Sequence, residues 1–210
     1  MATITLTNSK NGFTEFRFVM GAIDRNHYNP ARRLIEVRQD DGLLLVTGTD
    51  GHRLHRWTSA AAYGSRYPDG LYMIREDTQK RIKLERPDDW NRLDFPDVDT
   101  VIKSSTNYTE GPRHKLITFQ QKFSVGDAGE YTLIAKLLRF MINSTLTVEY
   151  ITELYRRGSE SVEGEWDITL VNELEEGNVD TPDRWACQKP IAFLSPEITL
   201  QAYVMPRRQS

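Results

Sequence analysis

Four histidines, one cysteine and a scatter of carboxylates are the side chains of this 210-residue sequence that could do chemistry. Asp50, His52 and His55 lie close together and carry atoms that ligate metals. Zinc needs three or four ligands converging on one point. On an extended strand, His52 and His55 point to opposite faces because their spacing is odd. No metal and no other cofactor is therefore expected. Cys187 sits between Trp185 and Pro190 with no histidine nearby in sequence, whereas a thiol nucleophile needs a paired base. It reads as a buried or loop cysteine. Asp97 and Asp99 alternate along what reads as an extended stretch, and a solvated turn accounts for them better than a catalytic carboxylate pair. There is no Gly-x-Ser-x-Gly elbow, no glycine-rich phosphate loop and no dinucleotide fingerprint. Trp57, Trp166 and Trp185 could stack bases, as single-strand binders do, but they fall on strand positions and core packing is the expectation. The chain does not read as an enzyme.

The elements that would position these residues follow from hydrophobic periodicity. Residues 2–7 alternate apolar and polar and predict a short strand. Phe13, Phe16, Met20 and Ile23 recur at helical spacing and predict a helix of about three turns. Asn29-Pro30 bars its continuation. Leu34–Arg38 and Leu43–Val46 flank Asp40-Asp41-Gly42, a hairpin signal, and Leu54–Thr58 predicts a further strand. Between residues 60 and 113 the pattern is harder to read: Gly70–Ile74 and Arg81–Glu85 predict strands, and Ser104–Pro112 is the best linker candidate. From Leu116 the opening order returns. Leu116–Val125 predicts a strand. Tyr131, Ile134, Leu137, Leu138 and Met141 predict an amphipathic helix. The alternations Leu146/Val148/Tyr150 and Trp166/Ile168/Leu170, then Ile191–Leu194 and Ile198–Val204, predict strands. Each half thus places a helix against an antiparallel meander, so the class is α+β. The expected modules are residues 1–104 and 105–210.

Composition narrows the partners. The chain is 39% hydrophobic and 27% charged with a formal charge of -3, which excludes wholesale disorder and a uniformly basic nucleic-acid coat. The charge is uneven: residues 1–58 hold eight basic and six acidic side chains, whereas residues 146–187 hold three basic and eleven acidic. Such a polarised molecule could turn basic helices toward a polyanion. A solvated acidic face is the plainer account. One cysteine excludes an intrachain disulfide. The first ten residues lack the apolar core of a signal peptide, and no run approaches the roughly 18 apolar residues of a membrane span. The expectation is a cytoplasmic protein without a membrane partner. In that compartment the glycosylation-like triplets at Asn107 and Asn143 carry no meaning.

Two motifs sharpen the reading. Thr49-Asp50-Gly51-His52-Arg53-Leu54 directly follows an apolar strand, and Tyr203-Val204-Met205-Pro206-Arg207-Arg208 stands near the end of the sequence. With Phe95-Pro96-Asp97-Val98-Asp99-Thr100-Val101-Ile102 between them, they resemble segments of the bacterial DNA polymerase III β sliding clamp family, in the family's order. The resemblance implies a DNA-clamp-like fold of repeated strand, helix and meander modules, the first half resembling the middle domain of the clamp and the second half the last. It implies a surface pocket for linear peptides carried by a DNA polymerase or other DNA-handling proteins. The residues that match the pocket are Thr49, Gly51, His52, Arg53, Leu54, Tyr203, Val204, Met205, Pro206 and Arg208. Leu54, Met205 and Pro206 would offer apolar surface, and the adaptable Met205 suits varied ligands. Arg53 and Arg208 would hold a carbonyl or carboxylate.

The resemblance further implies helices facing duplex DNA without reading sequence. Here they would present Arg17, Arg25, Lys136 and Arg139. Lysines and arginines are also ordinary on exposed helix faces. Arg207, Tyr203 and Lys103 depart from the family's usual residues at their positions. Two modules per chain would require a homo-oligomer of three chains to close a ring, and one expanded domain per chain would require six; such a compact clamp would suit a phage. The leading expectation is a processivity or recruitment factor that encircles or tethers to DNA. The alternative is an adaptor or decoy that binds clamp-interacting peptides, or a host clamp, without a ring. A hydrolase dependent on Cys187, or on His52 and His55, is the third reading.

Overall fold

The computed structural model describes residues 2–9, 12–60, 67–106, 113–115, 148–160, 167–169 and 190–205. Within them the chain runs β1 (Thr3–Thr7), α1 (Phe13–Met20), β2 (Leu34–Asp40), β3 (Leu43–Thr49), β4 (Arg53–Ala60), β5 (Gly70–Asp77), β6 (Arg81–Glu85), α2 (Val98–Thr106), β7 (Arg113–Lys115), α3 (Val148–Ser159), β8 (Asp167–Thr169), β9 (Ile191–Leu194) and β10 (Leu200–Val204). All ten strands join one antiparallel sheet in the order β1-β6-β5-β2-β3-β4-β10-β9-β8-β7. The pairing of β4 with β10 is the seam where the early and late parts of the sequence meet. The class is α+β, as the periodicity indicates.

Local chemistry explains most boundaries. The β2–β3 turn holds Asp41 and Gly42 at φ 47° and 76°, the mirror-type turn whose twist matches that of flanking strands. Helix α1 is shorter than its periodicity suggests. It stops at Met20 because the Gly21 N–H turns back to Phe18 C=O, and Ile23 then packs from the following turn. β10 begins at Leu200, two residues later than expected, because Pro196–Ile198 form a 3-10 turn with Glu197 and Ile198 at positive φ.

Two expectations are corrected. The alternation Leu146/Val148/Tyr150 predicts a strand, but residues 148–159 form helix α3. Three alternating positions are a short signal. Tyr150 and Leu154 recur four apart and both enter the core, while Glu153 pairs with Arg157 and Arg156 with Glu160 at the same helical spacing. Asp97 and Asp99 are not on an extended stretch. Asp97 accepts from the Thr100 backbone N–H (3.1 Å) and hydroxyl (2.6 Å), capping α2, and Asp99 sits in its first turn. That helix runs to Thr106, into the expected linker at Ser104–Pro112. The strand expected at Leu116–Val125 and the helix expected at residues 131–141 lie outside the described residues, as do Trp166, Trp185 and Cys187.

The sheet's two faces are distinct. α1 and α3 contact each other, and α1 lies on β3 and β4. There Phe16 and Phe18 of α1 pack with Val46, Trp57, Phe193, Ala202 and Val204 of the sheet in the main core. Burying each large apolar side chain stabilises the fold by about 1.5–3 kcal/mol. Trp57 meets Phe16 edge-on at 5.8 Å, so it is a packing residue. The close seating of α1 depends on Gly48, where a Cβ would stand 2.8 Å from Val19 C=O. The other face carries α2. There Leu54, Val98, Ala192, Leu194 and Tyr203 form a smaller cluster with Phe95 and Ile102 against it.

Beside that cluster Asp99 bridges Arg38 (2.7 Å) and Arg56 (2.8 Å) and ties α2 to β2 and β4. Burial raises the Asp99 pKa, but its bonds to Arg38 and Arg56 outweigh that and hold it below the usual carboxylate value.

Candidate functional site

The turn between β3 and β4 is built by its own side chains. Thr49 Oγ1 donates to Arg53 C=O (2.7 Å) and accepts from Gly51 N–H (3.0 Å). Asp50 Oδ1 accepts from the backbone N–H groups of His52 (2.9 Å) and Arg53 (2.7 Å). Its Oδ2 takes both Nε (2.9 Å) and Nη2 (2.6 Å) of the Arg53 guanidinium. Burial would raise the Asp50 pKa, but the Arg53 charge and these donors outweigh it, so the carboxyl titrates below its ordinary range. Gly51 holds φ 87°, and a Cβ there would collide with the Arg32 guanidinium. His52 stands exposed at the tip.

β10 docks on this turn. Tyr203 pairs with Leu54 and Val204 with Arg53, and beyond the strand Met205 N–H donates to His52 C=O at 2.7 Å. Two motifs about 150 positions apart in sequence are thereby zipped into one edge-to-edge junction.

Pleat alternation divides the residues read as pocket walls. Leu54 and Tyr203 lie on the α2 face, 3% and 2% exposed, with the Tyr203 hydroxyl donating to Gln201 Oε1 (2.9 Å). Burial pushes the Tyr203 phenol up to about 12, so it stays a neutral donor. Val204 lies on the opposite face, in the main core. Arg53 also turns that way, its guanidinium 5.5 Å from the Tyr150 ring centroid of α3. Thr49 is buried, its hydroxyl spent on the turn. Met205 is half-buried and His52 exposed, whereas Leu54 and Tyr203 are buried with Val98 and Leu194 on the α2 face. Pro206 and Arg208 lie outside the described residues.

A buried polar relay supports the junction from beneath. His55 Nδ1 is 2.7 Å from Phe18 C=O, so this nitrogen carries the proton and donates. Nε2 then accepts from the Tyr150 hydroxyl, also at 2.7 Å. The ring stacks on Phe18 at 4.6 Å. Complete burial lowers the His55 pKa to about 4 and raises that of Tyr150. Thus His55 is a neutral strut joining α1, β4 and α3, facing away from Leu54. Among the described residues no group of three metal-ligating side chains is found.

Of the residues read as facing DNA, Arg17 is half-buried on α1, and its backbone C=O accepts from Arg157 Nη1. Arg25 follows α1 and pairs with Asp77 at 2.5 Å. Lys136 and Arg139 lie outside the described residues. On α3, Arg156 pairs with Glu153 and Glu160, and Arg157 with Glu153. Bonds from Arg156 foremost hold the Glu153 carboxyl at about 2.

Sequence reasoning passed over Asp50 as a site residue, although an aspartate before a glycine is the signal of such a self-bonded turn. It also missed Arg32 and Tyr150, whose roles depend on long-range packing.

No family model and no curated protein matches this sequence. Solved structures do. The DNA polymerase III beta subunit of Thermotoga maritima is 12% identical over all of this chain and 66% of its own, with a TM-score of 0.46. A putative DNA polymerase III beta subunit from Eubacterium rectale is 11% identical over 98% of this chain and 65% of its own, at 0.49. The Pseudomonas aeruginosa sliding clamp bound to griselimycin is 14% identical over 99% and 66%, at 0.43. The chain spans just under two thirds of the length of these clamp subunits.

Proposed function

We propose that this protein is a clamp-like recruitment factor, without chemistry of its own, that holds a partner's linear peptide at the β4–β10 junction and tethers that partner to duplex DNA. The observation that carries the reading is the junction itself. The two motifs that resemble the walls of a clamp's peptide pocket meet strand to strand, joined by the Met205–His52 bond. Met205 would offer an adaptable thioether beside the apolar cluster that holds Leu54 and Tyr203. Tethering raises a partner's effective concentration without any reaction. Residues 1–104 and 105–210 would serve as the two clamp modules, and Arg17, Lys136 and Arg139 as contacts to DNA phosphates, together with Arg25 where it is released from Asp77.

The test is binding of a fluorescently labelled peptide with two hydrophobic anchor residues. Met205→Glu should weaken it tenfold or more, because a carboxylate must then be desolvated against the anchor. Equal affinity for a folded Met205→Glu protein sinks the pocket.

A non-ring adaptor or decoy is the second reading. It is favoured by the helix cations Arg156 and Arg157, both paired with carboxylates of their own helix. Solution mass separates the two readings. Three chains of 24.3 kDa in one particle are expected of a closed ring. A monomer at every concentration leaves the adaptor.

A further inference from the structure

Helix α2 covers the surface that a bound peptide would need. Val98 is buried, and with Ile102 and Phe95 it packs on Leu54, Tyr203, Ala192 and Leu194. Leu54 and Tyr203 come from the two clamp-like motifs, and while α2 is docked they present almost no area to an incoming hydrophobic group. The helix is poorly suited to stand alone. Its nine residues hold five β-branched side chains, two serines and an aspartate around a single strong helix former, Lys103. So short a helix does not persist in water by itself. Docking therefore holds it in place. Among its described side chains Val98 alone is buried, and Asp99 supplies the ion pairs.

The sheet beneath is equipped for the helix to leave. Asp99 Oδ2 accepts from Arg38 Nη2 (2.7 Å), and Oδ1 accepts from Arg56 Nη2 (2.8 Å). Both arginines have other partners on the sheet. Arg56 Nε donates to Thr47 Oγ1 (3.0 Å), and Arg38 Nη2 lies 3.5 Å from Asp40. Glu36 of β2 lies within Coulombic reach of both guanidinium groups. Release of Asp99 thus strands neither cation, which is the usual cost of breaking a buried pair. The docked arrangement is itself imperfect. Among the described residues Arg38 Nε is buried without a hydrogen-bond partner.

We propose that α2 is an autoinhibitory latch: docked, it fills the apolar surface at the β4–β10 junction, and a hydrophobic peptide binds by displacing it. This rests on the reading of the junction as a peptide site. An incoming apolar anchor takes the places of Val98 and Ile102 on Leu54 and Tyr203, so one apolar burial is exchanged for another. The peptide's apparent affinity is reduced in proportion to the fraction of chains in which α2 stays docked. Asp99 sets that fraction, because its two ion pairs exist only in the docked state.

The experiment is hydrogen–deuterium exchange of the whole chain with and without a labelled peptide carrying two hydrophobic anchors, alongside fluorescence anisotropy of that peptide. On binding, the amides of residues 98–106 should exchange faster, while those of residues 53–60 and 200–204 stay at least as protected. Asp99→Asn should tighten peptide binding about threefold to tenfold, because it weakens the docked state alone. Peptide binding to wild type with α2 unchanged or more protected overturns the latch and leaves the peptide site standing. Equal or weaker binding by a folded Asp99→Asn protein does the same. Absence of peptide binding by both proteins overturns the peptide site and the latch with it. Should Asp99→Asn fail to fold, the exchange pattern of wild type decides.

Discussion

Replacing His55 with alanine should lower stability by about 3 kcal/mol. The substitution removes a fully buried ring that stacks on Phe18 and bonds at both nitrogens. It leaves Phe18 C=O and the Tyr150 hydroxyl without these partners and opens a cavity where α1, β4 and α3 meet. Tyr150→Phe, which removes only one hydroxyl, should cost about 1–2 kcal/mol. The same ring should govern the response to acid. Folded, His55 titrates near 4, and its ordinary value is 6.5. Between those values the unfolded chain takes up a proton that the folded chain refuses. The stability contributed by the neutral buried ring is therefore fully present above about pH 6.5. It falls as the pH drops toward 4, by up to about 3 kcal/mol for a gap of this size. Urea unfolding of wild type and His55→Ala between pH 4 and 7.5 checks this. A wild-type slope that persists unchanged in the variant would remove His55 from the account.

The second large effect is expected at Asp50. Asp50→Ala should destabilise the fold by about 2–3 kcal/mol, because it releases two backbone N–H groups and a bidentate guanidinium at once. Peptide binding should fall with it, since the turn presents His52 C=O to Met205 N–H. Asp50→Asn keeps an acceptor for the backbone donors and loses the charge, so it should cost about half as much. The Asp50 carboxyl titrates below its ordinary 3.8, so its stabilisation is present above that value. It is lost only as the pH falls through the depressed one. Acid unfolding should accordingly show two stages, the His55 stage first and the Asp50 stage below pH 4. A stable Asp50→Ala protein with unaltered peptide affinity would show that β10, rather than the turn's own carboxylate, sets the junction.

The sequence alone determined whatever depends on neighbours in the chain. Alternation over residues 2–7, Asp41-Gly42 between two apolar runs, and the Phe13/Phe16/Met20 stripe are each settled within a few residues by sterics and side-chain period. The order of the three motifs was legible too, and with it the suspicion of a clamp-like peptide pocket. Helix α3 was not, because a short alternating run is ambiguous until Tyr150 and Leu154 are seen to share one buried face.

Only the tertiary structure decided what the motifs do together. The β4–β10 register, which puts Leu54 beside Tyr203 and Arg53 beside Val204, joins segments whose separation leaves no local trace. It also divides those residues between two faces of the sheet. Tertiary packing likewise made His55 a neutral strut between two helices, and set Arg32 against Gly51. A side chain's charge state and partners follow from burial and from donors supplied by distant strands, and those are properties of the folded chain rather than of its order of residues.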